Sequence, residues 1–143
     1  MIKEIESRRS IRRYKDIPVK EELIEEILKA GMLAPSSKNR QPWHFIVTTG
    51  SAKEQVLKAM EAGLKREEKQ PFLPESAPYL DGARATLKIM KEAPVIIFIT
   101  DPLASPMDQP LAIDERVSEI CNAQSMGAAI ENMTLAATEL GLG

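Results

Sequence analysis

From residue 111 onward this chain contains no proline, although ten lie before that point. The stretch 113–140 is therefore free to run as one uninterrupted helix. Val117, Ile120, Cys121, Gln124, Ala128, Met133 and Ala136 recur along it at approximately helical spacing. With a rise of about 1.5 Å per residue, such a helix is on the order of 40 Å long, enough to cross a small domain. Gly127, Ala128, Ala129, Ala136 and Ala137 give it a small-residue surface that lets another helix come close. Gly141 stands where a C-capping glycine belongs. A chain of 143 residues organised round one such element reads as a single domain, 1–143.

The remainder reads as shorter elements. Residues 2–7 predict a short helix, and Pro18 breaks the chain after the basic segment that follows. Residues 20–33 predict a helix with Leu23, Ile24, Ile27 and Leu28 on one face and Glu21, Glu22, Glu25 and Glu26 on the other, ended by Pro35. Residues 43–48 are aromatic and β-branched and predict a strand. Ser51 and Glu54 predict a capping box opening a helix through about residue 69. Residues 71–78 and 101–110 are proline-rich loops, and 82–91 predict another helix. The apolar run 95–99 predicts a strand buried on both faces. Two strands do not make a stable sheet alone, so either a loop supplies a third or strand-forming sequence lies beyond Gly143.

Charge narrows the function. The net charge is −2, which argues against a dedicated nucleic-acid binder. Yet the first twenty residues hold Lys3, Arg8, Arg9, Arg12, Arg13, Lys15 and Lys20 against only Glu4, Glu6 and Asp16. A basic patch on an acidic chain points to one localised anion site. Cys121 is the sole cysteine, which excludes an intrachain disulfide and fits a reducing compartment. No apolar run is long enough to span a membrane and no secretory leader is visible, so the expected location is cytoplasmic. His44 is the sole histidine and lies near no carboxylate or cysteine cluster, so a structural role is expected, with no metal site.

Two segments carry chemistry. Arg8-Arg9-Ser10-Ile11-Arg12-Arg13 crowds four guanidinium groups into six residues. A phosphate monoester carries about two negative charges and several acceptor oxygens, which arginine binds through paired hydrogen bonds. If the segment stays helical, Arg8 and Arg12 share a face. The bland alternative is a solvated basic surface pairing with Glu4, Glu6 and Asp16. The second segment runs Ala34-Pro35-Ser36-Ser37-Lys38-Asn39-Arg40-Gln41-Pro42-Trp43-His44-Phe45. Its hydroxyl and amide groups suit the carbonyls, nitrogens and N–H of a flavin ring. They also suit an ordinary helix-to-strand connection whose polar residues satisfy the backbone.

Together with the run 127–143, which ends Glu139-Leu140-Gly141-Leu142-Gly143, these segments resemble the nitroreductase family over essentially the whole chain. The resemblance implies an α+β fold: a mixed, largely antiparallel sheet wrapped by helices, with a long central helix at a homodimer interface. It implies FMN sites at that interface. Arg8, Arg9, Ser10 and Arg12 match positions that hold the phosphate and adjacent ring edge. Pro35, Ser36, Ser37, Asn39 and Gln41 match positions that reach the flavin from the other subunit. The implied activity is an FMN-dependent oxidoreductase. NADH or NADPH gives hydride to flavin N5, and a nitroaromatic, quinone or similar small-molecule acceptor then takes the electrons, with no catalytic side chain.

Family members continue past this helix into a further strand and an arm embracing the partner. The chain therefore reads as a member truncated at its C-terminus. Two alternatives follow: a specialised dehalogenase-like or flavin-destructase-like member, or a non-enzymatic flavin-binding or structural dimer lacking the C-terminal elements.

Overall fold

The computed structural model describes residues 1–72 and 74–143; Leu73, inside the expected loop 71–78, lies outside the described residues. Five α-helices and two strands follow in the order α1 (Lys3–Ser7), α2 (Glu21–Met32), β1 (His44–Thr48), α3 (Gly50–Lys69), α4 (Leu80–Glu92), β2 (Ile96–Thr100) and α5 (Ile113–Glu139). Short 3-10 turns precede β1 at Ser37–Asn39 and α4 at Ala77–Tyr79.

The residues group into two compact units. The first comprises Met1–Ser10, Lys20–Ile46 and Phe98–Gly143; the second comprises Ile11–Val19 and Val47–Ile97.

In the first unit α2 packs on α5, and α1 also lies against α5. α2 presents the face its spacing predicts: Ile27 is buried, Leu23, Ile24 and Leu28 are half-buried, and the four glutamates are exposed. Opposite them α5 buries Ala129 completely, and Met133 almost so. Gly31 lets the helices approach, since a β carbon there would stand 2.9 Å from Met133 Cγ and 3.0 Å from Phe45 Cζ. Asn132 reinforces the crossing by donating its Nδ2 hydrogen to the Ala30 carbonyl at 3.1 Å. That carbonyl lies in the last turn of α2, where no helical amide follows to pair with it.

The opening of α5 is half a capping box. The Glu115 carboxylate accepts from the Ala112 amide at 2.8 Å, while Ala112 has no hydroxyl to return a bond. The N-terminal half of α5 exposes its apolar positions: Ile113 is 83% exposed, Val117 53% and Ile120 51%.

In the second unit α3 packs on α4 around Leu57 and Leu87. Lys53 on α3 donates to the Ala93 carbonyl at 2.6 Å and reaches the Lys91 carbonyl at 3.3 Å. A cation thus sits on the unpaired carbonyls at the end of α4. Arg84 links Glu68 and Asp81 across the same helix pair.

β1 and β2 form a two-stranded antiparallel sheet. Thr48 is buried and donates its hydroxyl to the Ile96 carbonyl at 3.2 Å.

Three local expectations are corrected. The Ser51–Glu54 capping box does not form. Gly50, with φ of 49°, carries the chain into α3 two residues earlier, and Thr49 occupies the N-cap without a side-chain bond. β2 is not buried on both faces: Ile96 is buried, the next three residues are half-buried and Thr100 is exposed, because among the described residues the sheet has only β1 beside it. Among the described residues, neither 71–78 nor 101–110 supplies a third strand.

Candidate functional site

The arginine segment does not continue α1. The helix ends at Ser7, and Arg8 turns extended with φ −53° and ψ 137°, so Arg8 and Arg12 do not share a helix face. The end of α1 disperses the cations instead. Arg9 folds back and donates from Nη1 to the carbonyls of Glu6 at 2.9 Å and Arg8 at 2.7 Å, capping its own short helix. Arg8 turns toward α5, where its Nε lies 3.7 Å from Glu131 Oε1. Arg8, Arg9 and Ser10 belong to the first unit, and Arg12 and Arg13 to the second.

The polar loop lies wholly in the first unit and is closed by its own hydrogen bonds. The Asn39 amide donates to the Ser36 carbonyl at 3.0 Å, and the Arg40 amide to the Ser37 carbonyl at 3.1 Å. The Gln41 amide donates to the Ser36 hydroxyl at 3.0 Å. Ser36 thus ties down the loop it begins. The Ser37 amide donates to Ser125 Oγ on α5 at 3.2 Å, and Ser125 in turn donates to the Cys121 carbonyl at 2.7 Å.

This closure forces Lys38, Asn39 and Gln41 into the left-handed region, with φ of 53°, 53° and 48°. That conformation costs roughly 1–2 kcal/mol for a residue with a β carbon, least for asparagine. Strain of this kind collects where a side chain must be held at a functional site. Here it leaves the Asn39 and Gln41 side chains exposed above a fixed backbone.

Beside the loop, a cavity of about 550 Å³ is lined by Arg40 and Pro42, by Ser105, and by Asp114, Glu119 and Asn122 of α5. Asn122 Nδ2 donates to Asp101 Oδ2 at 2.9 Å. A carboxylate accepts only, so this bond fixes which way the amide faces. Asn122 Oδ1 is thereby left buried with no partner among the described residues.

Ser125, Glu131, Asn132 and Asn122 were not singled out by the sequence. They lie far along the chain from the segments they serve, in a helix whose pattern announces packing rather than polar ties. Their positions along α5 follow no regular spacing and carry no motif of their own.

A long glycine- and alanine-bearing helix, an Arg-Arg-Ser segment beside it and a strained polar loop tied to it are therefore features of one unit. The sequence model of the nitroreductase family matches residues 5–143. The chain belongs to the nitroreductase family.

Members of the nitroreductase family resemble it along its length. A Methanothermobacter thermautotrophicus protein, provisionally named NADH dehydrogenase/NAD(P)H nitroreductase, is 34% identical over 145 residues, covering 100% of this chain and 58% of its own length. An Archaeoglobus fulgidus protein of the same provisional name is 34% identical over 142 residues, covering 99% of this chain and 63% of its own. Among solved structures, a provisionally named Desulfovibrio desulfuricans nitroreductase in complex with FMN is 31% identical, with a TM-score of 0.64, over 96% of this chain and 61% of that one. The chain thus spans about three-fifths of the length of these relatives. The nitroreductase-like α+β fold expected from the sequence is the fold observed. No helix among the described residues is long and apolar enough to cross a membrane.

Proposed function

We propose that the protein is an FMN-dependent oxidoreductase that uses NADH or NADPH to reduce a nitroaromatic, a quinone or a similar acceptor. The observation that carries this reading is the likeness, over nearly the whole chain, to a family member solved with FMN. The donor set in the first unit fits that group. Arg8 supplies a part-exposed guanidinium, and Ser10, two residues on, a hydroxyl. These are the groups that a phosphate monoester recruits. Arg9 adds charge while its Nη1 holds the end of α1, and Arg12 joins the set by the sequence motif alone.

FMN held there would supply the redox chemistry, relaying hydride from the nicotinamide to the acceptor. The chain supplies position and electrostatics. Ser36 and Ser125 hold the loop backbone, so that Pro35, Ser36, Ser37, Asn39 and Gln41 meet the flavin of a partner subunit without reorganising. The exposed Asn39 and Gln41 amides would stabilise negative charge at the edge of a bound flavin. Two copies pair through α5, whose Ile113, Val117, Ile120 and Ile130 are exposed and whose Gly127 leaves room for a close neighbour. Residues 1–143 act as a single nitroreductase-like domain.

The test is flavin retention. Arg8→Ala combined with Arg12→Ala is expected to strip FMN from the purified protein and to weaken its rebinding at least tenfold. Full retention of FMN by this variant overturns the phosphate assignment.

A further inference from the structure

We infer that Glu131 is a positioning residue that aims Arg8 at the FMN phosphate. The inference rests on the proposed FMN reading and adds to it a residue on α5, far in sequence from the Arg8-Arg9-Ser10 segment. Three observations carry it.

The first is which atom of Arg8 the carboxylate meets. The approach is through Nε, 3.7 Å from Glu131 Oε1. A guanidinium is a flat fork of five N–H donors, and the edge formed by its two terminal nitrogens pairs with two oxygens at once. At this distance the carboxylate attracts the Nε corner by charge rather than by a hydrogen bond, which biases the orientation of the fork and leaves the terminal edge for an anion.

The second is that Glu131 is itself held. Its other oxygen, Oε2, lies 3.2 Å from the Thr134 hydroxyl, one turn further along α5; that hydroxyl shares its single proton with the Glu131 carbonyl at 3.0 Å. The carboxylate therefore spans a rigid helix on one side and the mobile stem of an arginine on the other. Because α1 is short and packs on α5, this contact transmits the register of the long helix to the arginine.

The third is the different use of Arg9. Its Nη1 is turned onto the carbonyls of Glu6 and Arg8, so the two adjacent arginines have separate tasks. Arg9 closes the helix, and Arg8 is presented by α5. At 36% and 56% side-chain exposure, the Arg8–Glu131 pair contributes little to folding. An acidic residue beside an anion-binding arginine also repels the anion. Its presence is explained by orientation, which restricts the arginine to productive rotamers before the anion arrives.

The experiment measures equilibrium binding of FMN and of riboflavin, by flavin fluorescence, to the wild-type protein and to Glu131→Ala, Glu131→Gln, Arg8→Ala and the Arg8→Ala/Glu131→Ala double variant. Riboflavin carries the same ring without the phosphate. Glu131→Ala is expected to weaken FMN roughly two- to fivefold and to leave riboflavin unchanged. Glu131→Gln is expected to fall between it and the wild type, and removal of Glu131 from Arg8→Ala to change nothing further. Equal loss of both ligands overturns the inference, since it reports a structural role. Unchanged or tighter FMN binding also overturns it, since Glu131 is then a bystander or a competitor. If Arg8→Ala leaves the preference for FMN over riboflavin intact, the phosphate reading itself fails and the inference falls with it. If Arg8→Ala abolishes that preference while Glu131→Ala does not, the inference alone fails.

Discussion

Gly31 of α2 lies so close to Met133 of α5 that a β carbon added to it would stand 2.9 Å from Met133 Cγ. The ring of Phe45 closes the same space at 3.0 Å. The helix that carries the polar ties of the site is thus located by a position at which no side chain fits.

Gly31→Ala is accordingly expected to destabilise the protein. Overpacking costs about 1–3 kcal/mol, and the gain in helix propensity returns only about 1 kcal/mol. A net loss of about 1 kcal/mol lowers Tm by roughly 3 °C in a chain of this size. A thermal melt that rises instead shows that the close approach of α2 and α5 is not formed.

Ser125→Ala removes the acceptor of the Ser37 amide. Leaving a part-buried amide unpaired costs about 1 kcal/mol locally, or roughly a fivefold change in an opening equilibrium. Hydrogen exchange at Ser37 is expected to accelerate by about that factor, with global stability changing less. Unaltered exchange contradicts the tie between loop and helix.

Lys38 offers a test by sign. At an ordinary helical position alanine is better than glycine. At φ of 53° the order reverses, so Lys38→Gly is expected to be more stable than Lys38→Ala by about 1 kcal/mol. Urea midpoints of the two variants decide it, and an alanine variant that equals or exceeds glycine shows that the loop is not left-handed there.

In the second unit, Lys53→Met keeps the aliphatic stem and deletes the charge that caps α4. The expected loss is about 1 kcal/mol in low salt, shrinking as salt screens the helix end. A deficit that is independent of ionic strength assigns the effect of Lys53 to its hydrogen bonds to the Ala93 and Lys91 carbonyls rather than to its charge.

The fold was largely legible in the sequence, and the reasons are particular. α5 was visible because 113–140 contains no proline and keeps its spacing; α2 was visible because four apolar and four acidic residues divide its faces. The start of α3 was misread. Ser51 and Glu54 satisfy the capping pattern, but the left-handed Gly50 moves the boundary upstream of both. β2 was read as doubly buried because an apolar run reports what a strand can tolerate, not how many neighbours it has. At the site, the arginine and loop segments were legible as chemistry. The contacts that hold them were not. Ser37 pairs with a serine 88 residues away, and Arg8 with a glutamate on the last helix. Such pairings are set by packing between distant elements, of which a local pattern holds no trace.

On the function proposed above, this chain works through a bound flavin. The most direct test is the absorbance spectrum of the purified protein, supplemented with FMN, before and after anaerobic addition of NADH or NADPH. The account predicts a protein-bound flavin spectrum that bleaches with one of the two reductants and returns when an electron acceptor is admitted. A protein that retains no FMN, or binds FMN that neither nucleotide bleaches, contradicts it.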